Sequence, residues 1–266
     1  MGTSTNYKGS PNWGPLKSET TQTGGKGFVT PQKAASIVGG FVGQMQKDSQ
    51  FGFGAPLSSR SSESGRSGVH TGRGGGGRGG GGTHQTGKTA RSVARSVGSF
   101  LADVRTKGFR KALAEQGLIN LDGKSPDEIA LALADLLGGP ASLIEQTALR
   151  DALMRLVLEW SEGTDQIDEL ADTMTSVAEN IESTLCRFLG HYIFEVFKTI
   201  GYQGVLATHG FETAESMTSE IRDFINAKIG EIEATHTLTS IDWNGADGAQ
   251  IVDEIVRDTI TIFGEP

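Results

Sequence analysis

The sequence predicts an all-α protein, with a helical, bundle-like C-terminal domain preceded by a glycine-rich, mostly disordered N-terminal region. The charge distribution indicates this division: residues 1–89 carry 10 Lys and Arg against 3 Asp and Glu, and residues 90–266 carry 14 against 29. In the second part, apolar residues recur three or four positions apart, which is the period of one helix face. The stretch from Thr237 to Trp243 is the only short candidate for a strand.

One stretch, from Asp165 to Tyr202, organises the predicted domain. Apolar side chains recur along it at helical spacing: Met174, Val177, Ile181, Leu185, Phe188, Leu189, Tyr192, Ile193, Val196 and Phe197. No proline interrupts the stretch, and Gly201 is a natural end for a helix. Because so apolar a helix needs partners in water, we expect one long central helix with its neighbours packed against it.

Composition divides the chain into four regions. The predicted regions are a disordered tail over 1–29, an amphipathic helix over 30–47, a Gly/Ser/Arg-rich linker over 48–89 and an all-helical domain over 90–266. The tail has too few large apolar residues to offset the entropy of ordering it. Its isolated aromatic residues, Tyr7 and Trp13, are candidate anchors for a partner's pocket. Thr30 and Pro31 supply a capping hydroxyl and a first-turn proline for the helix that follows.

The helical domain shows its own start and stop signals. Ser125 and Glu128 form a capping box around Pro126, which indicates a helix start there. The predicted helices run from Ala90 to about Gly108, from Phe109 to Gln116, from Ser125 to Gly138, from about Ser142 to Trp160, over the central stretch, from Thr213 to about Ile232, and from Asn244 or Asp247 to about Phe263. A glycine-containing connection from Tyr202 to about Phe211 is expected between the central helix and the next one.

A phosphate-binding loop pattern is present in the linker, where Gly82 is followed after four residues by Gly87, Lys88 and Thr89. Such a loop works between a strand and a helix, with backbone N–H groups and the lysine around the phosphates. The preceding residues are almost pure glycine and form no strand, so we interpret the match as a chance product of composition.

The other reactive side chains predict no cofactor, no metal site and no enzyme. The five histidines are scattered and none lies at ligand spacing from another histidine or from the cysteine. The single cysteine, Cys186, lies in the apolar stretch and is expected to be a buried structural thiol. The acidic residues from Asp165 to Asp172 suit the first turns of a helix, where the dipole favours anions.

The basic residues in and just after the linker leave several interpretations open. These basic residues could contact nucleic-acid phosphates, remain solvated or lie against the acidic helical domain. They are Arg66, Arg73, Arg78, Lys88, Arg91 and Arg95, which lie among glycine and serine. The absence of interleaved aromatic residues counts against nucleic acid as a partner. The sequence shows no signal peptide and no apolar run of about 20 residues, so no membrane association and a cytoplasmic protein are expected.

The N-terminus offers unusual chemistry. A small residue at position 2 favours removal of Met1, which leaves Gly2 with a free α-amine. The pKa of such an amine is about 7.7–8.0 against about 10.4 for lysine, so much more of it is a neutral nucleophile. As a flexible coil, the roughly 28 residues before Thr30 span about 30 Å, enough to reach a neighbouring active site. The alternative is an ordinary disordered start without modification.

The sequence resembles the QatB family of the bacterial Qat anti-phage defence system. The residues that carry the resemblance are Met1 to Ser4, Ser99 to Val104, Ala112 and Leu113, Pro126 to Leu136, Arg150 to Ala152 and Ile181 to Cys186. It covers the start of the tail and about residues 96–190, and more loosely 221–224.

This resemblance implies three partners: an ATPase, a TatD-like nuclease and QatC, which is similar to the QueC enzymes that make 7-cyano-7-deazaguanine. QueC-type chemistry activates a deazaguanine carboxylate with ATP and then admits a nitrogen nucleophile. Combined with the amine chemistry, it implies a non-enzymatic protein whose Gly2 is acylated with a deazaguanine by QatC, with Thr3 and Ser4 contacting the enzyme's channel. The alternative is an unmodified helical adaptor for the enzymes of the defence operon.

Overall fold

The computed structural model describes residues 13–25, 29–47, 90–119, 124–138 and 144–235, which together form an all-α fold without a strand. The elements are α1 Gly14–Gly24, α2 Pro31–Lys47, α3 Ala90–Lys107, α4 Phe109–Glu115, α5 Pro126–Gly138, α6 Ile144–Ser161, α7 Ile167–Glu179, α8 Ile181–Phe197, a π-helical turn Lys198–Tyr202, α9 Gln203–His209 and α10 Phe211–Thr235. The all-α prediction is therefore confirmed for these residues. The linker over 48–89, the strand candidate from Thr237 and the predicted last helix lie outside them.

Helix α8 is the centre of the fold. Thirteen of its 17 residues are buried, so it is apolar on almost every side rather than on one stripe. It packs against α3, α6 and α10 and also reaches α2, which surrounds it with protein. The expectation of a central helix with neighbours packed on it is confirmed for this segment.

The prediction of one unbroken helix from Asp165 to Tyr202 is wrong. The chain leaves helical geometry at Asn180, with φ −124° and ψ 56°, so that α7 ends and α8 begins there. Asparagine competes for backbone hydrogen bonds and suits helix ends better than interiors. Its carbonyl accepts hydrogen bonds from both the amide and the hydroxyl of Thr184, at 3.1 and 3.0 Å, and so starts the next helix.

The predicted end at Gly201 is also wrong. Gly201 is buried within the π-helical turn, which carries the chain into α9 where an irregular connection was expected. Its lack of a side chain serves packing, since an added Cβ would lie 3.1 Å from the Phe197 ring. The break comes at Gly210, whose φ of 84° and ψ of 176° suit glycine alone. Helix α10 then begins at Phe211, two residues before the predicted start.

The capping signals give the expected helix starts. The Glu128 amide donates to Ser125 Oγ at 3.2 Å, and the Ser125 amide donates to the Glu128 carboxylate at 2.9 Å. These two bonds form the predicted capping box at the start of α5. Thr30 Oγ1 accepts from the Lys33 amide at 3.3 Å, and α2 covers the predicted helix.

Within the tail predicted over residues 1–29, the described residues 13–25 contain a helix. Helix α1 occupies this segment and packs on α2, the π-helical turn and α9. The local composition is too polar to hold a helix by itself, but tertiary contacts override weak propensity.

Candidate functional site

The residues predicted to meet a partner lie at the N-terminus, and the structure describes only the last of them. Gly2, Thr3, Ser4 and Tyr7 lie outside the described residues. Trp13 is fully buried, with its ring centroid 5.6 Å from that of Phe41, which in turn lies 5.5 Å from Phe197. The indole therefore anchors the chain to its own core, and in this structure it has no surface to offer a partner.

Helix α1 packs on a surface that includes glycines from two other elements, Gly40 of α2 and Gly204 of α9. We call this surface the seat of α1. An added Cβ on Gly40 of α2 would lie 2.5 Å from Leu16 Cδ2, and one on Gly204 of α9 would lie 2.7 Å from Thr21 Oγ1. Side chains of α1 thus occupy the space where residues of α2 and α9 would otherwise carry a Cβ. Gly24 and Gly25 make the reverse contact, since a Cβ there would collide with Val205 and with the His209 ring.

Hydrogen bonds and one ion pair satisfy polar groups at the interface between α1 and its neighbours. His209 Nε2 lies 2.8 Å from the carbonyl oxygen of Thr21, so the imidazole donates a hydrogen bond to it. The hydroxyls of buried Thr20 and Thr23 donate to carbonyls one turn back, at 2.7 and 2.9 Å. These bonds allow the threonines to be buried without leaving a hydroxyl unsatisfied. Lys33 and Glu19 form a half-exposed ion pair at 2.7 Å.

The segment after α1 is fixed as well. The amide of Val29 donates to the Glu220 carboxylate of α10, and Val29 itself is buried. The chain is therefore held to the helical body at Trp13 and again at Val29. We call Trp13 the root of the N-terminal peptide, because it is the first described residue and residues 1–12 precede it in sequence.

A second feature is a charged groove between α5, α6 and α8, with a volume of about 740 Å³. At its floor Glu195, only 3% exposed, pairs with Arg155 at 2.9 Å and Lys198 at 3.4 Å. Burial, and next the charge of Glu195, raise the pKa of Asp151 at the rim. Ser161 Oγ donates to the Asp127 carboxylate at 2.9 Å. Within the groove, Glu195 is thus paired with two cations, and the Asp127 carboxylate accepts from a hydroxyl.

Comparison with known families identifies the helical body. Residues 78–263 match the family model described as QatB, Qat anti-phage system associated protein QatB, which is more than half of the chain. The chain belongs to the QatB family. The matched residues include α3 to α10, whereas α1 and α2 precede them. No curated protein and no solved structure matches the chain.

Membership of the QatB family supports a role in the Qat anti-phage system, with partners among that system's other components. The model that matches describes a system-associated protein and names no catalytic activity. Among the described helices, none is long and apolar enough to cross a membrane.

The other candidate residues of this QatB-family chain are engaged in contacts that stabilise the helical body. Asp168 pairs with Arg110 at 2.7 Å. Glu169 accepts hydrogen bonds from the amides of Asp165 and Gln166 and so caps α7. Cys186 is buried in α8. His191 Nε2 lies 3.0 Å from a Glu159 carboxylate oxygen. Within the described ranges, no group of three or more metal-ligating side chains could hold an ion.

Sequence reasoning missed the seat of α1, including Leu16, Gly40, Gly204 and His209. One signal was available, because Pro15 lies in the first turn of α1, where proline favours a helix start. The rest of the helix reads as polar, and the glycines that receive it are far apart in sequence.

Proposed function

We propose that this protein serves the Qat system by presenting the α-amine of Gly2 to QatC, which acylates it with a deazaguanine. In this proposal the chain is a substrate and assembly factor and performs no catalysis itself. Thr3, Ser4 and Tyr7 contact the enzyme, and the helical body holds it nearby. The operon's ATPase and TatD-like nuclease are further proposed partners, and the cytoplasm is the proposed compartment.

The chemistry is an acyl transfer to nitrogen. ATP first activates the deazaguanine carboxylate on the partner. The neutral amine of Gly2 then attacks the activated carbonyl carbon, the activating group leaves with the bonding electron pair, and the nitrogen loses a proton to give an amide. The low pKa of a terminal amine favours Gly2 over lysine side chains at neutral pH, because a larger fraction is unprotonated.

Membership of the QatB family supports the choice of system, and the anchored root supports the presentation. The single observation that favours presentation is the full burial of Trp13, which joins the N-terminal peptide to the body at one fixed point. A peptide held at one end is at high effective concentration near a partner bound to the same body.

Intact mass spectrometry tests this function. The full chain is co-expressed with QatC, and we expect a gain in mass that matches a deazaguanine amide. The Gly2→Pro variant keeps a small second residue but loses the primary amine, so its mass should not increase. An unchanged mass of the wild-type chain in the presence of active QatC contradicts the proposed function.

The second candidate function is an unmodified adaptor, and exposed apolar side chains favour it. Ile119 is 74% exposed and Phe211 is 65% exposed, so each offers apolar surface that a partner could cover. If the wild-type chain copurifies with QatC and stays unmodified, and if Ile119→Ser or Phe211→Ser removes the copurification, the adaptor is the better description.

A further inference from the structure

The length of chain before α1 limits where the terminal amine can go. If residues 1–29 were unanchored, the amine could move up to roughly 95 Å from Thr30, at about 3.4 Å per residue. With Trp13 in the core, only the eleven residues from Gly2 to Asn12 remain. They can span at most about 40 Å in any conformation.

We propose that the seat of α1 sets this reach and thereby how far from Trp13 the partner's channel can lie. The inference rests on the proposed function. The partner is an enzyme that acylates a terminal amine inside a narrow channel, and the mouth of that channel lies within about 40 Å of Trp13. Trp13 lies at the start of α1 and meets Phe41 of α2, which in turn contacts Phe197 at the end of α8. Leu16 and Trp13 are positioning residues, since they hold α1 on the body without touching the reacting atoms.

Four contacts hold α1, and with it the root, on the helical body. The Trp13 indole is stacked at a tilt on Phe41 inside the core. Leu16 fills the space above Gly40, and Thr21 fills the space above Gly204. At the other end of α1, the His209 side chain holds the Thr21 carbonyl at 2.8 Å. The orientation of α1 therefore directs its N-terminus toward α2 and its C-terminus toward α9.

A deletion of Thr5 to Asn12 tests the limit on reach. It leaves Gly2 to Ser4 directly before Trp13, which gives a reach of only about 10 Å. We expect the modified fraction to fall at least about tenfold, because a linker too short to span its sites lowers the effective concentration to near zero. The matched control keeps Tyr7 and replaces the other seven of these residues with Gly and Ser at equal length, and it should be modified like the wild type. Tyr7→Ser in the full-length chain measures what the loss of that contact alone costs, and the deletion should lower the modified fraction further.

A second change in the deletion variant tests the seat itself. Gly40→Leu fills the space that Leu16 occupies and should release α1, so that Trp13 to Phe28 add roughly 55 Å of reach. The modification of the deletion variant should then return. Leu16→Asp, which puts a charge into the same contact, serves as an independent means of release. Hydrogen exchange over residues 17–24 reports the release, and exchange over α8 reports that the body stays folded.

The outcomes separate this inference from the function on which it rests. A wild-type chain that QatC leaves unmodified overturns the proposed function and this inference with it. A modified wild type together with a fully modified deletion variant overturns the inference alone. Loss of modification in the Gly/Ser control also overturns the inference, because the sequence of the segment rather than its length then decides the reaction. The same follows if modification does not return in a variant in which hydrogen exchange shows that α1 is released.

Discussion

At the scale of single residues, Glu195 is the carboxylate that the described structure buries most deeply, at 3% exposed. Its oxygens face Arg155 and Lys198, and the Arg155 guanidinium also lies 5.3 Å from the centre of the Phe194 ring. A buried ion pair gains little over an apolar pair of the same size, because both ions lose their hydration. Replacing only one partner of such a pair is costly, however, because the charge of the other partner then stays buried without a counter-charge.

Replacement of Arg155 by Met should therefore destabilise the protein strongly. We expect a loss of about 3 kcal/mol in the free energy of unfolding, the low end of the usual range, because Lys198 stays near Glu195. Urea unfolding measures the loss. The Arg110→Met variant, which breaks the exposed pair with Asp168, is the control and should cost less than about 1 kcal/mol. If the double variant Arg155→Met/Glu195→Leu is no more stable than Arg155→Met, the buried charge is not the cause.

At the scale of elements, two glycines connect successive helices in backbone conformations that only glycine adopts readily. Gly108 joins α3 to α4 with φ 84° and ψ 154°, and Gly210 joins α9 to α10 with φ 84° and ψ 176°. At both positions an added Cβ would meet no neighbouring atom. Their role is therefore conformational, and packing does not require glycine there.

Alanine at position 210 should then destabilise the fold through the backbone alone. We expect a loss of about 1–3 kcal/mol, the usual cost of a side chain in this glycine region. The matched control is Gly43→Ala, since Gly43 lies inside α2 with open space at its Cβ. That change should stabilise the protein by up to about 1 kcal/mol through helix propensity. Thermal unfolding of the two variants gives opposite signs if this explanation holds, and equal signs contradict it.

The same scale shows what the sequence can predict and what it cannot. The starts of α2 and α5 are readable because Thr30, Ser125 and Glu128 act on neighbours within four residues. The break at Asn180 has only one asparagine as its local signal, which is too weak to predict a helix end by itself. The π-helical turn has no local signal that we recognise. The seat of α1 is the extreme case, because it joins Leu16 to Gly40 and Thr21 to Gly204, contacts that exist only in the folded chain. The site residues from Gly2 to Tyr7 stay predictions, since they lie outside the described residues.

At the scale of the whole molecule, the helices differ in how firmly they belong to the fold. Helix α8 is enclosed by α3, α6 and α10, whereas α1 buries only Thr20, Thr23 and Gly24 beside the Trp13 anchor. Elements with little buried apolar surface open locally at low free-energy cost, while core helices open only when the whole protein unfolds. On this argument, the helix that follows the proposed modification site in sequence is the one that opens without loss of the body.

This difference predicts two separate opening reactions in native-state hydrogen exchange. Amides of α1 should exchange well before those of α8, because α1 detaches alone. Phe188→Ala removes a fully buried ring from α8 and should lower the free energy of global unfolding by about 3–5 kcal/mol. Exchange in α8 should accelerate accordingly, since it follows global unfolding, whereas exchange in α1 should stay unchanged. Two results would contradict this: equal protection of α1 and α8 in the wild type, or an equal loss of protection in both helices of the variant. Either would mean that α1 opens only when the whole protein unfolds and cannot be released on its own.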